Sequence, residues 1–153
     1  MIDVPQIVYA DEQPTAVIHI VVSRNDIEQV MSPAIAEVLS VLAAQGIAPA
    51  GPCFTYHLRR PAEIFDFDVG FPVPTPLAPA GRVKPGKLPA ARVARTVYHG
   101  GYGGLGPAWG EFIAWVEKEG LKPRGSLWER YVAGPESGSD PEKWRTELNL
   151  PLD

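Results

Sequence analysis

M-S-P-A-I-A-E-V-L-S-V-L-A-A-Q-G-I-A-P-A-G, residues 31–51, returns in outline 74 positions later as L-G-P-A-W-G-E-F-I-A-W-V-E-K-E-G-L-K-P-R-G, residues 105–125. Without a gap, Pro33 falls on Pro107, Ala34 on Ala108, Glu37 on Glu111, Gly46 on Gly120, Pro49 on Pro123 and Gly51 on Gly125. The apolar pairs Ile35/Trp109, Val38/Phe112, Leu39/Ile113 and Leu42/Val116 recur at helical spacing, which predicts one amphipathic helix in each copy. A proline is expected near each helix's first turn, where a missing N–H costs nothing, and Gly46 and Gly120 are expected as the left-handed closing residues.

Strand-like segments flank both helices. T-A-V-I-H-I-V-V (15–22) and A-R-V-A-R-T-V-Y (91–98) precede them. C-F-T-Y-H-L (53–58) and L-W-E-R-Y-V (127–132) follow, and I-F-D-F-D-V-G-F-P-V (64–73) and W-R-T-E-L-N-L-P-L (144–152) close the copies. Each half therefore reads β-α-β-β, with repeat one at about 14–73 and repeat two at about 90–152. Between them, the proline-rich residues 72–89 suit an extended linker rather than a helix or a central strand, or, as the lesser alternative, a ligand for an SH3-type reader. The expected fold is α+β: duplicated units with pseudo-two-fold symmetry, antiparallel sheets with a helix on one face of each, and a groove between the repeats.

Composition narrows the classes of function. The chain has 153 residues, 45% hydrophobic, enough for one domain with a sizeable core. A net charge of −4, with basic residues scattered, gives no footprint for direct nucleic-acid binding. One cysteine, Cys53, allows no internal disulfide, and three dispersed histidines offer no metal-ligand spacing. M-I-D-V-P-Q has no secretory character, and no apolar run is read as approaching the roughly 20 residues that span a bilayer. A cytoplasmic domain without metal, cofactor or membrane contact is expected.

Glu129 stands out inside the strand L-W-E-R-Y-V. Alternation puts Leu127, Glu129 and Tyr131 on one face, and the 74-residue shift lays Glu129 on Thr55 and Tyr131 on His57. Polar groups at matching positions in both copies suggest the face left free of helices. Glu129 then either sits on a solvated surface, pairing with a residue such as Arg145, or anchors a site. In Y-H-G-G-Y-G-G-L-G (98–106) no phosphate-loop register is present, so a tight strand-to-helix turn exposing Tyr102 is expected. Trp109 reads as core packing, Cys53 as a small buried apolar group, and His99 as a structural histidine.

H-G-G-Y-G-G-L (99–105), E-G-L-K-P-R-G (119–125), W-E-R-Y-V-A-G-P (128–135) and D-P-E-K-W-R-T-E-L-N-L-P-L (140–152) together resemble GyrI-like proteins, whose domain also serves as the effector-binding part of some AraC- and MerR-type regulators. G-P-C-F-T-Y-H and F-D-F-D-V-G-F-P-V resemble the same family. The resemblance implies a groove for small molecules, with Glu129 as its acidic residue and Tyr102 as the aromatic of the glycine-rich turn. It implies binding of amphipathic cations or aromatics anchored by Glu129 with Tyr102 beside it; Tyr131 and His57 are expected to line the same groove, with Thr55 as the repeat-equivalent polar position. A second implication is hydrolysis of strained cyclopropane toxins by Glu129 and Tyr102, and a third is inhibition of a protein partner such as gyrase. No helix-turn-helix is legible before the domain, so the regulators' DNA binding is not carried over.

Overall fold

The computed structural model describes residues 1–153. In chain order the elements are β1 (Gln6–Ala10), β2 (Gln13–Ser23), α1 (Ile27–Ala44), β3 (Phe54–His57), β4 (Ile64–Pro72), β5 (Lys84–Leu88), β6 (Ala91–His99), α2 (Leu105–Lys118), β7 (Leu127–Ala133) and β8 (Arg145–Pro151). The two expected units are present as β2-α1-β3-β4 and β6-α2-β7-β8. Gly46 and Gly120 close their helices at φ +69° and +74°. Pro33, however, lies inside α1 rather than in its first turn. The helix begins earlier because Ile27, Val30 and Met31 prolong the stripe that packs on the sheet.

All strands join one antiparallel sheet in the order β1-β6-β8-β7-β3-β4-β2-β5. The order is palindromic under the repeat: β1 matches β5, β6 matches β2, β8 matches β4, and β7 matches β3. Each unit lends the strand before it to the other half, since β1 pairs with β6 and β5 pairs with β2. At the seam between β3 and β7, Thr55 lies directly opposite Glu129. These two residues are repeat equivalents, so the pseudo-two-fold axis passes through this pair.

The strand exchange requires curvature. Only Pro89 and Ala90 separate β5, at one edge, from β6, six strand spacings away. A flat sheet would put them roughly 29 Å apart, whereas three Cα steps reach at most about 11 Å. The sheet therefore curls, and its inner face closes on Val17, Phe54, Leu88, Ala91, Val93 and Trp128, drawn from the middle and both ends.

The other face carries the helices. Ala34, Val38 and Leu42 of α1 pack on Ala16, Ile18, Phe67 and Val69. Ala108, Phe112 and Val116 of α2 pack on Ala94, Leu127, Leu148 and Leu150. Between these two cores the sheet strip made by β3 and β7 floors a groove.

The proline-rich segment is more than a linker. Leu77 and Val83 are buried in the α1 core, Arg82 pairs with Glu37 at 3.1 Å, and Ala78 exchanges two hydrogen bonds with the Gln45 side chain. Residues 84–88 then form an edge strand, where Pro85 can omit an N–H without breaking a central ladder. The stretch Arg24–Ala44 has mean hydropathy 1.4, long and apolar enough by composition to cross a membrane, contrary to the expectation from sequence. Its alanines and valines raise the average, while the Ala34–Val38–Leu42 stripe covers β2 and β4.

Candidate functional site

Glu129 lies on the helix-bearing face, not the helix-free one expected from alternation. Leu127, on the same face, belongs to the α2 core, and Trp109 of α2 reaches the carboxylate itself. The expectation failed because the helices cover only the flanks of their face. Polar residues can therefore occupy the central strip.

The carboxylate is 9% exposed. Trp109 Nε1 donates to its Oε2 at 2.6 Å, and the Tyr131 hydroxyl donates to its Oε1 at 2.8 Å. Tyr131 has one proton and gives it to Glu129, so Thr55 Oγ1 must donate to the Tyr131 oxygen, 2.8 Å away. No Lys, Arg or His lies within ion-pair distance of Glu129. Arg145, the partner expected for a solvated or structural acid, donates instead to the carbonyls of Glu142 and Trp144 at 2.7 Å.

Burial without a counter-charge raises the Glu129 pKa above the usual carboxylate value, and the bonds from Trp109 and Tyr131 only partly oppose it. Burial, reinforced by the Glu129 charge, pushes the Tyr131 phenol well above its ordinary value. Tyr131 is therefore a fixed donor at neutral pH.

Tyr102 begins the short 3-10 turn before α2 and is 39% exposed. Its ring meets Tyr131 edge-on at 5.8 Å and Trp144 at 5.1 Å. Two of the glycines around it, Gly100 and Gly104, have a steric cause. The Tyr98 hydroxyl lies under the turn and donates to the Gly101 carbonyl, and a Cβ on Gly104 would sit 2.0 Å from that hydroxyl. The turn is a tight connection built over a tyrosine.

His57, 4% exposed, lies farther along β3 between Phe67, stacked at 5.1 Å, and Phe65, edge-on at 5.7 Å. Burial lowers its pKa to about 4, and its Nδ1 has no hydrogen-bond partner. Thr55, Glu129, Tyr131 and Tyr102 thus form one connected cluster, while His57 stands apart among phenylalanines.

Sequence reading missed three members of the site. Trp109, read as packing, does touch Phe112 but uses its N–H to hold Glu129. Cys53 accepts the Tyr131 backbone N–H through its carbonyl, and burial pushes its thiol up to about 12. Glu136, in the 3-10 turn after β7, has a charge that helps raise both Tyr102 and Cys53. Of these, Trp109 alone left a signal, as an indole where the repeat has an isoleucine. His99, expected as a structural histidine, has its Nε2 2.7 Å from an Asp3 carboxylate oxygen but makes no well-directed hydrogen bond there.

The sequence matches the GyrI-like small molecule binding domain over residues 4–153. No curated protein sequence matches significantly. Among solved structures, the EcmrR C-terminal domain superposes with a TM-score of 0.85 at 20% identity, covering 97% of this chain and 96% of that one. In EcmrR bound to DNA in a transcription complex the TM-score is 0.86 at 22% identity, covering 99% of this chain, which spans 57% of the EcmrR chain. SAV2435 bound to tetraphenylphosphonium gives 0.71 at 10% identity, with 99% and 94% covered. A hydrolase from Listeria innocua gives 0.66 at 14%, with 97% and 91% covered. At these identities the likenesses establish the fold. Together with the match over nearly the whole sequence, the duplicated fold and its groove show that the chain belongs to the GyrI-like small molecule binding domain family.

Proposed function

We propose that this domain binds amphipathic, cationic or aromatic organic molecules in the groove between its helices, in drug or toxin sensing or sequestration, with Glu129 as the electrostatic anchor. The observation that carries the reading is a buried carboxylate with no cation beside it, held by two neutral donors. Such a group is costly to ionise, and an organic cation relieves that cost by supplying the missing charge. Trp109 and Tyr131 use two of roughly four lone-pair positions, so the oriented carboxylate keeps acceptor capacity. Tyr102 and Tyr131 add ring faces worth about 0.5–2 kcal/mol to a cation. Thr55 fixes Tyr131, and His57, farther along β3 and neutral above a pKa of about 4, adds no positive charge that would repel a cation. SAV2435, of the same fold, is a precedent for a lipophilic cation.

Thermal unfolding with a panel of lipophilic cations, tetraphenylphosphonium among them, tests this. Stabilisation in the wild type that disappears in Glu129→Gln is expected. If no cation stabilises either protein, the sensor reading is wrong.

Hydrolysis is the second reading, favoured by the 2.8 Å Tyr131–Glu129 bond, the raised carboxyl pKa and the Tyr102 ring packed edge-on against Tyr131. Glu129 would activate a water, with Tyr102 or Tyr131 supplying a proton. Multiple turnovers of a cyclopropane-bearing alkylator to its ring-opened product, lost in Glu129→Gln, are then expected. Product at background level rules that reading out.

A further inference from the structure

A second cleft opens on the helix-free face and does not depend on the reading of Glu129. It has a volume of about 330 Å³, and its walls include Tyr9, Phe54, Trp128, Arg95 and Arg130, with Asp11 also lining it. Phe54 and Trp128 are repeat equivalents, as are Ala10 and Leu88, which also border it. The cleft therefore straddles the same pseudo-two-fold axis as Thr55 and Glu129, on the other side of the sheet. Alternation in β7 explains this, since Trp128 and Arg130 flank Glu129 and point the opposite way.

The charges in this cleft are arranged unevenly. Arg95 Nε and Arg130 Nη1 converge on a single oxygen of Glu147, at 3.4 and 3.2 Å. The same oxygen takes a bond from Asn149 Nδ2 at 3.1 Å, and Asn149 in turn accepts from Arg95 Nε at 2.6 Å. Asn149 is fully buried, so this network fixes the Arg95 side chain at its Nε and leaves both terminal nitrogens of the fork without a protein acceptor. Arg130 likewise keeps Nε and Nη2 without an acceptor. Two guanidinium groups share one carboxylate in a cleft walled by Trp128, Phe54 and Tyr9. Asp11 provides the remaining negative charge, from an exposed position in the β1–β2 connection.

We propose that this cleft is a second ligand site, selective for small planar aromatic carboxylates. The carboxylate would take the free forks of Arg95 and Arg130, and the ring would lie against Trp128 and Tyr9. A guanidinium fork matches a carboxylate in two parallel bonds, a geometry that a lysine cannot reproduce. The volume is at the lower end of ligand pockets, about 300–1,000 Å³, which suits one or two fused rings.

Isothermal titration calorimetry with 2-naphthoate tests the site, using 2-naphthylmethanol as the uncharged comparison. Saturable binding of naphthoate, weaker as salt is raised, is expected, whereas any binding of the alcohol should be weaker and unaffected by substitution of the cleft's arginines. Arg130→Gln and Arg95→Gln should each weaken it about tenfold. Arg130→Lys, which keeps charge and stem and guards against misfolding, should weaken it several-fold while circular dichroism stays that of the wild type. The proposal is overturned if wild type does not bind naphthoate, if the alcohol binds equally well, or if naphthoate affinity is unchanged in folded Arg130→Lys and Arg95→Gln.

Discussion

Replacing Glu129 by glutamine separates a carboxylate kept for a ligand from one kept for the fold. The isostere can satisfy the whole network. Its carbonyl accepts from Trp109, its amide donates to Tyr131, and Tyr131 then donates to Thr55. Two charge-assisted hydrogen bonds become neutral ones, a loss of about 2 kcal/mol in total. Against it stands the desolvation of a 9% exposed carboxylate with no cationic partner, which costs several kcal/mol when ionised. Glu129→Gln should therefore be as stable as wild type at pH 8, or more stable by about 1–3 kcal/mol.

The pH dependence has a definite sign. A carboxyl whose folded pKa is raised holds its proton more tightly in the native state. Its contribution is fully present below the unfolded value and is lost as pH rises through the folded one. The advantage of the glutamine variant should thus vanish near pH 4 and grow to a plateau above the raised pKa. Urea titrations between pH 4 and 8 measure it, with a midpoint gain of roughly 0.5–1 M at the upper end. If the variant loses more than about 1 kcal/mol at pH 8, or if the difference does not change with pH, Glu129 is structural and the argument from desolvation fails.

Trp109→Phe leaves Glu129 Oε2 without its donor, and should lower stability by about 2–3 kcal/mol at pH 8; Trp109→Phe combined with Glu129→Gln should recover part of that loss, as a double-mutant cycle in urea would show. His57 opposes Glu129 in acid. Its pKa is lowered to about 4, so its contribution is present above about pH 6.5 and is lost as pH falls toward 4, amounting to about 3 kcal/mol at most; His57→Phe should remove this slope from the stability curve. Gly104→Ala should cost more than the few tenths of a kcal/mol typical of a surface change, because the new Cβ meets the Tyr98 hydroxyl, and Tyr98→Phe in the same chain should relieve it, as thermal melts would reveal.

The repeat made much of this fold legible. Helical spacing and closing glycines depend on a residue's near neighbours, and so do the alternating strands. Those local rules placed both helices and six of the eight strands. β1 and β5 escaped because edge strands tolerate sequences such as Lys84-Pro85-Gly86-Lys87 that no central strand would accept, and because each pairs with the distant half of the chain. Nothing local announces an exchanged strand.

The site divides along the same line. Sequence alone marked Glu129 as a charge that its repeat partner, Thr55, does without, and chemistry marked the residues around it as aromatic. Tertiary structure alone decided that the two equivalents meet face to face on the axis, that Trp109 turns its N–H onto the acid, and that Arg145 stays away. It also decided which face of the sheet the acid uses. Alternation assigns residues to two faces but cannot say which face receives the helices, because that follows from burying the flanking apolar strands of both repeats at once.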